Sequence, residues 1–155
     1  MHRPIEAEPL RRRALEIDEL TKGSEHPIVA TDLNNLAELL QDMNRLAEAE
    51  PLMRRALAID EKNKGPEHPD VATDLNNLAQ LFLHMNRFAE SEALMRKALI
   101  IIRDSSRSTS DDHPALIPIS LNYCGVLRAM GKSQAEIEAA LEALEVPQVY
   151  VLEKR

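Results

Sequence analysis

Leu33, Leu36, Ala37, Leu40 and Met43 fall three and four residues apart and form one apolar stripe, the spacing of a helix with one buried face. The pattern predicts a first helix over residues 27–43. Pro27 opens it, at a position where a missing N–H costs nothing. A second stripe, made of Ala49, Leu52, Met53, Ala56, Leu57 and Ile59, predicts a second helix over residues 46–62. Asn44 stands between the two, where a residue tolerant of a left-handed backbone closes a helix end. Pro51, and Pro9 in an earlier copy of the same pattern, sit near the start of the second kind of helix. An interior proline kinks a helix, so the pattern fixes those starts only loosely.

The pattern repeats. Residues 6–47 align without a gap on residues 48–89, and 31 of the 42 positions are identical. EAEPL occurs at 6–10 and 48–52, and VATDLNNLA at 29–37 and 71–79. A third copy starts at Glu90 and keeps register up to residues 104–112, DSSRSTSDD, which add three residues and read as a mobile loop. Beyond it His113 matches His68, Asn122 matches Asn77, and Met130-Gly131-Lys132 match Met85-Asn86-Arg87. The expected fold is all-α, a right-handed superhelical stack of antiparallel helix pairs (an α-solenoid) with about seven helices. A single domain over 1–146 is expected: a half repeat 1–25, repeats 26–64, 65–105 and 113–145, then a tail 147–155.

Met1-His2-Arg3 aligns with the turn at Met43-Asn44-Arg45, so the first helix, over residues 5–22, is of the second kind and has no partner before it. Leu10, Ala14, Leu15 and Ile17 are expected to pack on the helix that follows, with the far side uncovered. Uncovered apolar area marks an interface, and self-association as a homodimer through this helix is the expectation. At the other end a last helix is expected over 134–145, stopped by Pro147, with 149–152 either folded back or trailing.

Composition narrows the function. The net charge is −7, and Lys and Arg are nowhere concentrated, which argues against nucleic acid as a partner. No apolar run reaches the roughly 18–20 residues that span a bilayer, and no secretory segment opens the chain. No membrane association and a cytoplasmic location are expected. Aromatics are 3% of residues and glycines only four, leaving little material for base stacking or a phosphate loop.

Catalytic chemistry is not apparent either. His26, His68 and His113 each precede a proline one repeat apart. Packed helices lie about 8–10 Å apart, too far for zinc bonds of about 2 Å, so these residues are expected to cap or pack the first helices. Glu8–Arg12, Glu50–Arg54 and Glu92–Arg96 are i,i+4 pairs in the favoured order, worth about 0.2–0.5 kcal/mol each, and read as solvated faces. Cys124 stands where Ala37 and Ala79 stand, as a small buried residue. No enzyme, cofactor or metal is expected.

LNNLA, the linker GPEHPDVA at 65–72, and Leu36, Ala37, Leu40, Ala49, Met53, Ala56 and Leu57 resemble the tetratricopeptide repeat, in the 42-residue form of kinesin light chains and related bacterial proteins. The resemblance covers roughly residues 3–144. It departs at Pro118, in place of Thr73, and at Gly125, in place of Gln80. The family is defined by packing rather than by a ligand. It implies a concave groove lined by the first helices, which holds a peptide or extended segment of a partner protein. Asn35, Asn77 and Asn122 would then form a ladder of one amide per repeat, each able to donate and accept. Asn34, Asn76, Glu38, Gln80 and His84 share that face. Tying the repeats together is the alternative role of the asparagines. Leu83, Leu121 and Arg128 interrupt the polar face at its C-terminal end, which suits a ligand with an apolar side chain and a carboxylate near Arg128. Two other readings remain open: a structural or oligomerisation module, and a regulatory fragment of a larger multidomain signalling protein.

Overall fold

The computed structural model describes residues 4–109 and 113–146. Among them are seven helices and no strand: α1 (Pro4–Lys22), α2 (Pro27–Asp42), α3 (Leu46–Lys64), α4 (Pro69–His84), α5 (Phe88–Thr109), α6 (Leu116–Ala129) and α7 (Gln134–Ala143). The all-α, paired-helix reading holds. The turn at residues 1–3, residues 110–112 and the tail 147–155 lie outside the described residues. The helices belong to two compact units, Met1–Pro66 and Glu67–Arg155.

In the first unit α2 pairs with α3, and α1 lies on α2. Val29, Ala30 and Leu33 of α2 meet Ala56 and Ile59 of α3, with Leu15 and Leu52 packed against them. In the second unit α4 pairs with α5, α6 packs on both, and α7 follows on α6. Its buried side chains include Leu75, Leu78, Phe82, Met95, Leu99, Ile102 and Ile119. Full burial of such a side chain is worth about 1.5–3 kcal/mol, and most of the stability resides in these stripes rather than in helix propensity.

One turn geometry closes each first helix. Asn44, Asn86 and Gly131 have φ of 58°, 59° and 78°. The next amide reaches back to the carbonyl five residues earlier: Arg45 to Leu40 and Arg87 to Phe82 at 2.8 Å, Lys132 to Leu127 at 3.0 Å. The left-handed residue bonds three back in every case, so each end is a Schellman motif. The same cation then starts the second helix, because Arg45 and Arg87 hold Glu48 and Glu90 at 2.6–2.7 Å. The Arg87 guanidinium also lies over the Phe82 ring, 3.9 Å from its centre. In the third copy a full capping box, Ser133 with Glu136, does this work, and Lys132 adds an ion pair. These donors hold the Glu136 carboxyl down at about 2, the Ser133 backbone N–H most strongly.

His26 and His68 cap α2 and α4, as expected, while His113 bonds the Ala115 amide in the turn before α6, whose N-cap is Ala115. Nδ1 of His26, His68 and His113 accepts the amide of Ile28, Asp70 and Ala115 at 3.1–3.2 Å.

The structure corrects two expectations. Residues 104–109, expected as loop, continue α5. Ser106 satisfies its hydroxyl on Ile102 O and accepts the His113 amide, while Arg103 pairs with Asp104 and reaches Leu144 O. A serine-rich composition is thus held helical by tertiary bonds. On α1, Leu15 packs as expected, but Leu10, Ala14 and Ile17 face solvent. α1 turns Leu15 and its polar side toward α2, where Glu8 bonds Arg45 at 2.6 Å. Pro9 and Pro51 lie inside α1 and α3, which run through them.

The positive φ at Asn86 makes a direct test. Asn86→Val should destabilise by about 1–2 kcal/mol, the cost of a left-handed backbone for a residue with a branched Cβ. Asn86→Gly should stay within about 0.5 kcal/mol. Urea denaturation followed by circular dichroism checks both.

Candidate protein-interaction face

The first helices carry the expected polar residues on one side. On α2, Leu36 and Ala37 are fully buried, Asn34 and Asn35 are half-buried and Glu38 is exposed. On α4, Leu78 and Ala79 are buried, Asn77, Gln80 and Leu83 are half-buried, and His84 is exposed. On α6, Asn122 is half-buried, and Leu121 and Arg128 are exposed. Asn76 differs: it is buried, and its Oδ1 accepts Nδ2 of Asn122 at 3.0 Å. Within the second unit, therefore, one ladder residue spends a donor on tying α6 to α4. Thr31 and Thr73 turn their hydroxyls back to the Pro27 and Pro69 carbonyls at 3.4 Å.

The charged pairs are less uniform than the spacing suggests. Glu8–Arg12 and Glu50–Arg54 form at 2.9 and 2.8 Å. In the third copy Glu92 instead accepts the Tyr123 hydroxyl at 3.0 Å, and no ion pair joins it to Arg96 among the described residues. Tyr123 occupies the register of Leu36 and Leu78. A buried tyrosine needs a hydrogen-bond partner, and this one takes the carboxylate. Burial, then Glu92, push its hydroxyl pKa well above the usual value. Cys124 is buried as expected, and burial pushes its thiol upward, which leaves it poorly nucleophilic.

A further pair escaped the sequence reading. Asp32 on α2 lies beside the Asp18 carboxyl of α1, and one oxygen of Asp32 is buried without a hydrogen-bond partner among the described residues. Burial first, then the Asp18 carboxyl, raise its pKa, and Arg11 opposes them. The alignment carried a signal: Asp18 and Asp32 recur as Asp60 and Asp74, then become Ile102 and Ile119. Among the described residues no group of His, Cys, Asp and Glu is arranged to hold a metal, and no helix is long and apolar enough to cross a membrane.

The family model described as tetratricopeptide repeat matches residues 1–62 and 33–104. The chain belongs to the tetratricopeptide repeat family. Tetratricopeptide repeats are generally protein–protein interaction scaffolds, and the fold is a non-enzymatic one. Among solved structures, the chain is similar to a kinesin-light-chain-type protein from Podosopora anserina with nearly identical TPR-like repeats. The identity is 25% and the TM-score 0.78, covering 97% of this chain and 70% of that one. A point variant of that protein gives the same identity and TM-score over 97% and 69%. BtubC (BKLC) from P. vanneervenii shares the fold at 23% identity and TM-score 0.77, over 92% of this chain and 55% of that one. No curated protein matches the sequence.

Within this tetratricopeptide array the Asp18–Asp32 pair makes stability depend on pH. Asp32 binds its proton more tightly folded than unfolded. Its contribution is therefore complete below the usual value of 3.8 and is lost as pH rises through the raised value. At pH 7 the two acids repel, so Asp32→Asn should stabilise by about 0.2–1 kcal/mol, the scale of a partly exposed charge pair. The gain should shrink in acid. Urea midpoints measured across pH 3–7 check the sign.

Proposed function

We propose that this tetratricopeptide array is an interaction scaffold that holds an extended segment of a partner protein on its first-helix face. One observation carries the reading. At each LNNLA signature the leucine and alanine are buried, while Asn35 stays half-exposed on α2 with Glu38, and Asn77 on α4 with Gln80 and His84. Asparagine is a poor helix former, and an amide left partly accessible in mid-helix suits backbone capture: it offers both donor and acceptor. Asn122 retains such capacity after its single donated bond to Asn76. Leu83, Leu121 and Arg128 favour a ligand with an apolar side chain followed by a carboxylate. The role is one of holding, in the cytoplasm, without cofactor or catalysis. A random peptide library displayed against the chain should select apolar–acidic segments. Asn77→Ala and Arg128→Ala should each weaken the selected peptide about tenfold, a loss of about 1.4 kcal/mol. A library without preference, or variants that bind unchanged, removes the reading.

A second reading, homodimerisation through α1, has its own observation. Leu10 is 72%, Ile17 45% and Leu20 84% exposed, whereas Ile59 and Ile101, in the register of Ile17, are each 2% exposed. α1 presents bare the face that α3 and α5 bury. Light scattering should give a dimer that Ile17→Glu converts to monomer. A monomer at high concentration counts against it.

A further inference from the structure

The third repeat departs from the other two at several positions that meet in one place. Position by position, α7 aligns with α5, and Ala139 and Ala140 replace Leu94 and Met95. In the preceding copy these positions are Leu52 and Met53. The larger side chains are core material, since Met53 and Met95 are almost fully buried. Their truncation in α7 coincides with a cavity of about 480 Å³ between α5, α6 and α7. Leu127, Met130, Ala139, Ala140, Ala143 and Leu144 supply its apolar lining.

The polar lining changes in the same copy. Arg12 and Arg54 are each held by the glutamate four residues before them. Arg96 has no ion pair to Glu92 among the described residues, and Tyr123, standing where the other copies have leucine, donates to Glu92 Oε1 at 3.0 Å. Glu92, Arg96 and Tyr123 all line the cavity. Lys132, the other cation there, is held by Glu136 at 3.0 Å. Arg96 is thus the cation without its helical counterpart, at the edge of a cleft whose apolar lining is missing two large side chains.

We infer that this cleft is a second peptide site, separate from the first-helix face, which takes an apolar side chain of a partner protein with an adjacent acidic residue paired to Arg96. The volume lies within the range of ligand clefts that combine an apolar lining with a few placed polar groups. A leucine side chain replaces the volume that Ala139 and Ala140 lack. A carboxylate supplies the acceptor that Arg12 and Arg54 find in their own helices, and an arginine–carboxylate hydrogen bond is among the stronger ones.

The probes are short blocked peptides in a Gly/Ser background carrying Leu-Asp, Leu-Asn or Ser-Asp, added to the full chain. Fluorescence polarisation reads affinity and amide NMR shifts read location. The Leu-Asp peptide should bind and shift Ala139, Ala140, Ala143 and Leu144. Leu-Asn and Ser-Asp should bind about tenfold more weakly. Arg96→Glu should weaken Leu-Asp by at least the same factor, and Ala140→Met, which restores the methionine of the other copies, should abolish binding by filling the cleft. Circular dichroism confirms that both variants are folded. Absent shifts at millimolar peptide overturn the inference, as does equal binding of Leu-Asn or unchanged binding by Arg96→Glu. Binding lost in Asn77→Ala but kept in Arg96→Glu places the peptide on the first-helix face: it overturns the cleft and leaves the groove reading standing.

Discussion

Each helix pair depends on one backbone reversal. After every first helix a single left-handed residue, Asn44, Asn86 or Gly131, turns the chain so that the next amide bonds a carbonyl five residues back. Lengthening or flattening that turn would swing the second helix away and leave both apolar stripes in water. In the second copy the following cation serves both helices. Arg87 covers Phe82 of the helix that ends and holds Glu90 of the helix that begins. An amphipathic pair cannot bury its stripe unaided, so the reversal and the stacking are one constraint seen at two distances.

The turn is also why so much of the fold was legible. Helical period and an asparagine or glycine stop are local signals that agree three times over, and a proline start joins them in α2 and α4. The helix positions, the histidine caps and the buried cysteine follow from them. What stayed hidden depends on partners far along the chain. The end of α5 is held by Ser106, His113 and Arg103 through bonds to the α5–α6 connection and to Leu144, while the composition there suggests a loop. Glu145 closes α7 with φ 54°, a left-handed residue that its type does not advertise. Leu10 and Ile17 of α1 stand in the register of Leu52 and Ile59, which pack on α2, the first helix of their own pair, rather than on the helix that follows.

The candidate face was legible in position but not in use. Spacing puts Asn35, Asn77 and Asn122 on the first helices, and they are there. Whether an amide faces a ligand or a neighbour depends on distances of a few tenths of an ångström. The Asn122–Asn76 bond shows the tying role, and it leaves capacity over, since an asparagine can make more bonds than one. A ladder that also ties helices is stiffer than one that only waits for peptide. Stiffness lowers the ordering cost of binding.

The acidic positions show how one architecture tolerates opposite solutions. Asp18 and Asp32 are neighbouring acids in the first unit, while the matching positions of the third copy are Ile102 and Ile119, both buried. Buried polar pairs exchanged for apolar ones of similar volume are often neutral or stabilising, so the fold does not need the carboxyls. The pair that keeps them, Asp18 and Asp32, carries like charge at neutral pH and is held below the stability its backbone permits. The third copy gives up that penalty but takes on another, the cavity left where α7 has alanines in place of leucine and methionine. Exposed apolar walls and an arginine deprived of its glutamate are costs that packing alone does not offset. An occupant that brings apolar surface and a carboxylate relieves both at once.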